Sequence, residues 1–412
     1  MQHHPPIISL ESQLSRVYSL GIKFETLATQ THAAHMYHAQ IDIQAIRKQI
    51  EEQPAASNDV WVLFLAEKDH QHADRLRQLF LELQISFFGG LFPQVVSGLG
   101  AYDEGLVLKQ FSCKGPIQIL EKISSQPTFQ LPPYTEEGQD EEGTALVLVD
   151  GLTSNISHFL SQVFDQLGRT VKYLGGGAGS ISLEQAPCLI TAQGILKDAA
   201  IITYLDCHAE LGVRHGWKDI YGPLVATSTE ANVIRELNWN KAFDIYREVV
   251  EQHTGEALRE EAFFDTSKGF PFGMTKVNAE AVVRDPIAVN DKGELICVGE
   301  VPENTIINVL EGKPESLIAA AAQAARDCQS ENAGTVKDCL IFDCISRVLF
   351  LEDDFHKELA AVQQNLPQTT PPLMNEGALT LGEISSNGHG LLEFFNKTIV
   401  MGLLYEKNGA AP

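Results

Sequence analysis

The sequence predicts a mixed protein, α/β to α+β in class, with two mixed-sheet αβ lobes around a ligand cleft. Three observations carry this. Short, continuous apolar runs such as Val60–Leu65 and Thr144–Asp150 have the length and composition of strands buried on both faces. Each is followed by a segment of helical spacing and a second short strand, the grammar of a βαβ unit. Both units then reach small residues, Phe87-Phe88-Gly89-Gly90 in one and Tyr173-Leu174-Gly175-Gly176 in the other. This points to two related αβ units, or to two glycine-bearing turns lining one cleft.

The elements follow in order. Ile41–Glu52 reads as a helix ending at Pro54. His32, His35 and His38 precede it at a spacing that drifts around a helix, which favours surface histidines over a metal site. After the strand Val60–Leu65, His70–Leu83 has apolar residues at Ala73, Leu76, Leu79, Phe80 and Leu83, one helical face. Ile85–Phe88 and Leu106–Phe111 read as strands, and Pro127–Gly143 as an exposed loop rich in Pro, Glu and Gln. The second unit is strand Thr144–Asp150, helix Ser154–Leu167 with Ser154 or Asn155 as N-cap, and strand Val171–Leu174. Cys188–Asp206 and Leu211–Thr229 are strand-rich, and Lys241–His253 is a helix. Val282–Val289 and Leu295–Val298 read as strands around the turn Asn290–Gly293. Pro314–Cys328 is an Ala-rich helix with proline at a favoured start. Strand Cys339–Asp343, helix Ser346–Asn365 and strands Leu379–Ile384 and Lys397–Leu404 close the chain.

Composition narrows the function. The 412 residues are 44% hydrophobic and 20% charged, a globular profile with room for two or three domains. A net charge of −24 opposes binding to phosphate backbones and suits, if anything, a basic partner surface. No apolar run reaches the length of a membrane span, and the first residues lack the pattern of a secretory leader. Seven scattered cysteines without a C-x-x-C pair suggest buried free thiols in a reducing compartment. The expected location is therefore the cytoplasm.

Five places in the chain carry candidate chemistry. Gly175, Gly176, Gly177 and Ser180 form a small-residue run after a strand, either a tight turn or a loop whose amides face a ligand. It has neither the Lys and Ser/Thr of a P-loop nor the glycine spacing and helix of a dinucleotide fingerprint. His215 and Trp217 sit between strands; the imidazole suits a ligand carboxylate, a metal or haem iron, or a packed turn. Arg284 begins a strand and suits a bidentate carboxylate, or an ion pair with Asp285. Cys344 and Arg347 stand where a strand meets a helix, a place that lowers thiol pKa values and binds anions. Glu383 ends a strand and suits a ligand amine; with Arg284 or Arg347 it would hold a zwitterion such as an amino acid. Cys344 has no local histidine base, and no hydrolase elbow, zinc-protease helix or kinase set occurs, which favours a binding protein over an enzyme.

Taken in order, Phe88-Gly89-Gly90-Leu91-Phe92-Pro93, the run Tyr173–Ser180, His215-Gly216-Trp217, Arg284-Asp285-Pro286, Phe342–Arg347, Gly382-Glu383-Ile384 and Asn396-Lys397-Thr398 resemble the FIST family over roughly residues 55–405. The resemblance implies an N-terminal extension at 1–54, a FIST N domain at 55–237 and a FIST C domain at 238–405. It implies a cytoplasmic sensory module for a small ligand, with amino acids proposed for the family, acting through a separate partner. A branch of stand-alone bacterial members binds haem, senses nitric oxide and regulates histidine kinases. In that alternative the cofactor is haem and His215 is the best-placed iron ligand, with His158, His356 and His389 open; otherwise the cofactor is unknown.

Overall fold

The computed structural model describes residues 36–53, 56–125, 128–134, 142–276, 279–330, 333–386 and 391–406. The opening segment with His32 and His35, part of the 127–143 loop and the loop containing His389 lie outside these residues. The fold is mixed α/β in two lobes. One is built on an eleven-stranded mixed sheet of mostly N-terminal strands, the other on a six-stranded mixed sheet and a seven-stranded antiparallel sheet. Among the described residues no helix is long and apolar enough to cross a membrane.

Three copies of one unit organise the two mixed sheets, one more than the sequence suggested. Each unit is a strand, a helical crossover, a parallel strand, a hairpin and an antiparallel return strand. The first comprises Asp59–Ala66, helix Ala73–Glu82, Ser86–Phe92, hairpin Gln94–Ser97 with Gly100–Tyr102, and Leu106–Glu121. The second comprises Gly143–Asp150, helix Ile156–Leu167, Val171–Ala178, hairpin Leu189–Thr191 with Gly194–Leu196, and Ala199–Leu205. The third comprises Val336–Cys344, helices Ile345–Leu351 and Phe355–Gln364, Glu376–Thr380, hairpin Glu383–Ser385 with Glu393–Phe395, and Ile399–Tyr405.

No unit keeps its own hairpin. The first unit's hairpin pairs with Glu376–Thr380 of the third, the second's with Ser86–Phe92 of the first, and the third's with Val171–Ala178 of the second. This cyclic exchange gives the core a pseudo-threefold arrangement and knits the halves of the chain together. Lys109 adds a buried tie: it lies on the first unit's return strand and reaches Asp338 and Glu376 of the third at 2.7 and 2.6 Å.

The same place in each unit is a glycine. Gly89, Gly175 and Gly377 pair across the parallel strands with Leu63, Val147 and Ile341. At each, an added Cβ would collide with that partner's carbonyl oxygen. The glycines therefore lie inside strands rather than ending them. The sequence reading of Gly175–Gly177 as a turn or ligand-facing loop is corrected accordingly: all three are buried within Val171–Ala178, because neighbouring backbone at Gly175 and Gly177, and the Thr380 side chain at Gly176, stand where side chains would go. A second correction concerns Asn155. It occupies the N-cap position of its helix but caps nothing, having φ +63°, and its side-chain amide donates to the carbonyl of Ser124.

Between the second and third units the chain forms a closed antiparallel barrel. Lys218–Glu230, Ile306–Glu311, Phe272–Met274, Val282–Val289, Leu295–Val298 and Val233–Leu237 pair in sequence, and the last pairs back to Lys218–Glu230. Closure leaves no free edge among these strands. Helix Ala242–Thr254 buries Phe243, Tyr246 and Val250 against it, with the rings of Tyr246 and Phe272 5.3 Å apart. One apolar cluster runs from the three-unit core into this barrel.

Candidate functional site

A pocket opens where the barrel meets the second and third units. It lies beyond the carboxyl ends of Gly143–Asp150 and Val336–Cys344, the place where α/β sheets bind ligands. Its cavity volume is about 60 Å³, and it opens to solvent at its mouth. Leu152, Ile181 and Leu183 come from the second unit, Cys344, Ser346, Leu381 and Asn396 from the third, and Phe264, Asp285, Ile287 and Val298 from the barrel segment.

The polar groups on this otherwise apolar wall are held from behind. Asp285, fully buried, pairs with Lys397 Nζ at 3.0 Å through Oδ2, while Oδ1 accepts no hydrogen bond. Burial pushes the Asp285 carboxyl up and Lys397 pulls it back down. Lys397 also donates to the carbonyl of Lys268 and lies 4.8 Å above the Trp217 ring. Asn396 accepts from Arg284 through Oδ1, and its buried Nδ2 has no acceptor. An unpaired acceptor and an unpaired donor, both in a pocket wall, are expensive unless a bound molecule completes them.

The structure gathers most of the sequence candidates around this wall, in roles that differ from those expected. Arg284 meets no carboxylate. It donates to the carbonyls of Glu300, Val283 and Phe394 and to Asn396, so it fixes Asn396 in place, and burial lowers its pKa to about 10. Its expected pairing with Asp285 is replaced by the Asp285–Lys397 pair. Arg347 is bound on both faces of its fork by Glu358, at 2.9 and 2.7 Å, and spends its remaining donors on the carbonyls of His215, Lys397 and Leu317. No donor is left for a zwitterion.

Trp217 donates its indole N–H to the carbonyl of Lys397. His215 accepts the Trp217 backbone N–H at Nδ1, so Nε2 carries the proton and faces Glu280 at 2.8 Å. Ser180 lies beside the pocket residue Ile181, its hydroxyl 2.9 Å from that of Ser182. Gly177 trades backbone hydrogen bonds with Gly382 and Leu381, which seats Leu381 in the wall. Sequence reasoning missed Asp285, Ser346, Asn396 and Lys397 as site residues, although all four sit inside the quoted family motifs.

Glu383 lies just behind the wall, accepting from the Thr380 hydroxyl at 2.8 Å and the Thr398 N–H at 3.3 Å. Burial pushes its carboxyl from 4.5 up to about 8. Between these values the native state holds a proton that the unfolded chain releases. This contribution to stability is therefore full below about pH 4.5 and is lost as pH rises to about 8. Gln fits the same bonds, with its carbonyl on Thr398 and its amide on Thr380. Glu383→Gln is thus expected to gain on the order of a few kcal/mol over wild type at pH 8.5 and about nothing at pH 4.5, read from urea unfolding at both pH values. An equal difference at the two would mean that the native carboxyl is ionised.

The pocket residues do not fit haem. No histidine lines the pocket among the described residues, and both ring nitrogens of His215 are engaged. His158 and His356 are exposed on helices, and His389 is outside the described residues. Nor do the described residues contain a cluster of three His, Cys, Asp or Glu groups able to hold a metal.

An apolar pocket with unpaired polar groups in its wall is the kind of site that takes a small molecule. Comparison with known families gives the same class: the FIST N domain matches residues 7–240 and the FIST C domain matches residues 242–386. The chain belongs to the FIST family, whose domains are signal-transduction sensors that bind small ligands rather than catalysts. No curated protein matches it.

Proposed function

We propose that the chain is a cytoplasmic sensor that binds a small zwitterionic metabolite, an amino acid or a similar molecule, in this pocket and signals through a separate partner such as a histidine kinase. The observation that carries this is the pair of unsatisfied groups, Asp285 Oδ1 and Asn396 Nδ2, in one pocket wall. Asp285 offers an acceptor to an ammonium group, and Lys397 opposes the burial that raises its carboxyl. Asn396 offers a donor to a carboxylate, held in direction by Arg284. The apolar remainder of the wall suits a short aliphatic or aromatic side chain.

A thermal-shift screen of amino acids tests this. A binder should raise Tm in wild type. Asn396→Asp keeps the acceptor for Arg284 but removes the donor and sets a negative charge against the ligand carboxylate, so the shift should vanish. Asp285→Asn should lose the shift for ligands with a free ammonium. Wild-type shifts in both variants would remove these residues from the site. A Soret band after haemin reconstitution that moves with nitric oxide would instead return the haem reading.

A further inference from the structure

The pseudo-threefold core gives Cys344 a counterpart in each unit. Cys344 pairs with Thr380, Asp150 with Ala178 and Ala66 with Phe92, each three residues past the strand glycine's partner. In the second unit Asp150 is buried, and its carboxylate is held by backbone amides. Leu152 N–H donates to Oδ1 at 3.1 Å, while Asp198 N–H and Gln185 Nε2 each donate to Oδ2 at 2.7 Å.

Leu152 stands two residues beyond Asp150, and Asp198 two residues before Ala200, which pairs with Val149. The same steps in the third unit lead to Ser346, two beyond Cys344, and to Lys397, two before Ile399, which pairs with Asp343. Asp198 and Lys397 share a left-handed backbone, at φ +49° and +52°. The backbone N–H groups of Lys397 and Ser346 lie at the Cys344 sulfur and favour its anion. The amide pair that holds a carboxylate in one unit thus faces a thiol in the other.

That thiol also lines the pocket, beside the buried and unpaired Asn396 Nδ2 and Asp285 Oδ1. We propose that Cys344 is an oxidation site, at which a peroxide entering the pocket converts the thiol to the sulfenic and then the sulfinic acid, and the sulfinate rests on the Ser346 and Lys397 amides as the Asp150 carboxylate rests on its own. A sulfinate carries two oxygens on the atom attached to Cβ, as an aspartate does. In the first step sulfur attacks one peroxide oxygen, an S–O bond forms and the O–O bond breaks. The adjacent Glu383 carboxyl, protonated in the native state, gives its proton to the departing oxygen as it takes the thiol proton, and that oxygen leaves as water. Sulfur loses two electrons and the peroxide gains them; a second peroxide repeats the exchange on the sulfenic acid. Burial pushes the thiol up, so the reaction is slow beside that of an exposed thiolate. The added charge stands in the pocket wall and opposes an anionic ligand group. The proposal holds whatever ligand the pocket takes.

The full chain treated with hydrogen peroxide and digested for mass spectrometry provides the test. The Cys344 peptide should gain one and then two oxygens ahead of those of Cys297, Cys328 and Cys339, which are as buried but line no such pocket. Cys344 remaining a thiol while these three oxidise would overturn the proposal. Cys344→Asp in a Glu383→Gln background, which removes the neighbouring titratable group, should unfold cooperatively with a Tm close to that of Glu383→Gln alone. Cys339→Asp should lose its cooperative transition. If Cys344→Asp fails in the same way, the amide pair does not accept an anion and the idea falls.

Discussion

Replacing Arg347 with alanine is expected to destabilise the protein by on the order of 3–5 kcal/mol, a large fraction of the stability of an ordinary domain. The side chain is fully buried, and its five N–H groups are all used. Its neighbours make the loss severe. Glu358 is bound at both oxygens, and Asp343 lies 3.3 Å from Nε, both fully buried. Burial, reinforced by Glu358, already pushes the Asp343 carboxyl well up, so this residue can shed its charge by protonation. Glu358 would be left buried without its cation. Removing both partners should therefore be milder than removing one: Arg347→Met with Glu358→Leu is expected to recover much of what Arg347→Ala loses. Arg347→Lys should recover little, because an ammonium cannot reproduce the two-pronged contact with Glu358 or reach three separate carbonyls. Urea unfolding of the three variants and wild type closes the comparison. A loss below about 1 kcal/mol for Arg347→Ala would place the guanidinium in contact with water, contrary to its burial.

Arg347 also shows what the sequence concealed. A cation at a strand-to-helix junction reads equally as an anion clamp or as a structural ion pair. The choice depends on Glu358, which lies on the helix Phe355–Gln364, eleven residues further along. The elements themselves were legible because period and length are local. The strands Val282–Val289 and Leu295–Val298 have the bounds that the pattern implied, and the helix Pro314–Asp327 differs by one residue. The glycine run misled for a physical reason: close backbone packing inside a sheet and left-handed turns both demand glycine, and one sequence cannot separate them. Strand exchange was invisible because it pairs Gln94–Ser97 with Glu376–Thr380, far apart in the chain. Asp285 and Asn396 were passed over for Arg284, since a guanidinium advertises carboxylate binding while an unpaired amide is recognisable only once its surroundings are known.

Strand exchange has a consequence for the two family domains. Neither the 1–240 nor the 242–412 fragment is expected to fold alone, although each contains a full family match. The N-terminal fragment keeps the first and second units but loses Glu383–Ser385, which covers the edge of Val171–Ala178. It also strands the hairpin Gln94–Tyr102 and the strand His208–Arg214, whose partners are Glu376–Thr380 and Ile399–Tyr405. The C-terminal fragment loses both of those N-terminal pieces from its six-stranded sheet, and the barrel is cut after Val233–Leu237. Each fragment would thus expose bare strand edges and apolar surface that the whole chain buries. The cut removes Lys241 from the two-residue edge strand Asn240–Lys241, so it breaks no interior strand when both pieces are present. Co-expression should therefore yield a stable complex with a single cooperative melt, while each fragment alone gives none. A cooperative transition in the isolated 1–240 fragment would show that the exchanged hairpins are ornaments on an independent domain. Reconstitution from the two pieces, with neither folding singly, would place the folding unit at the level of the whole three-unit core.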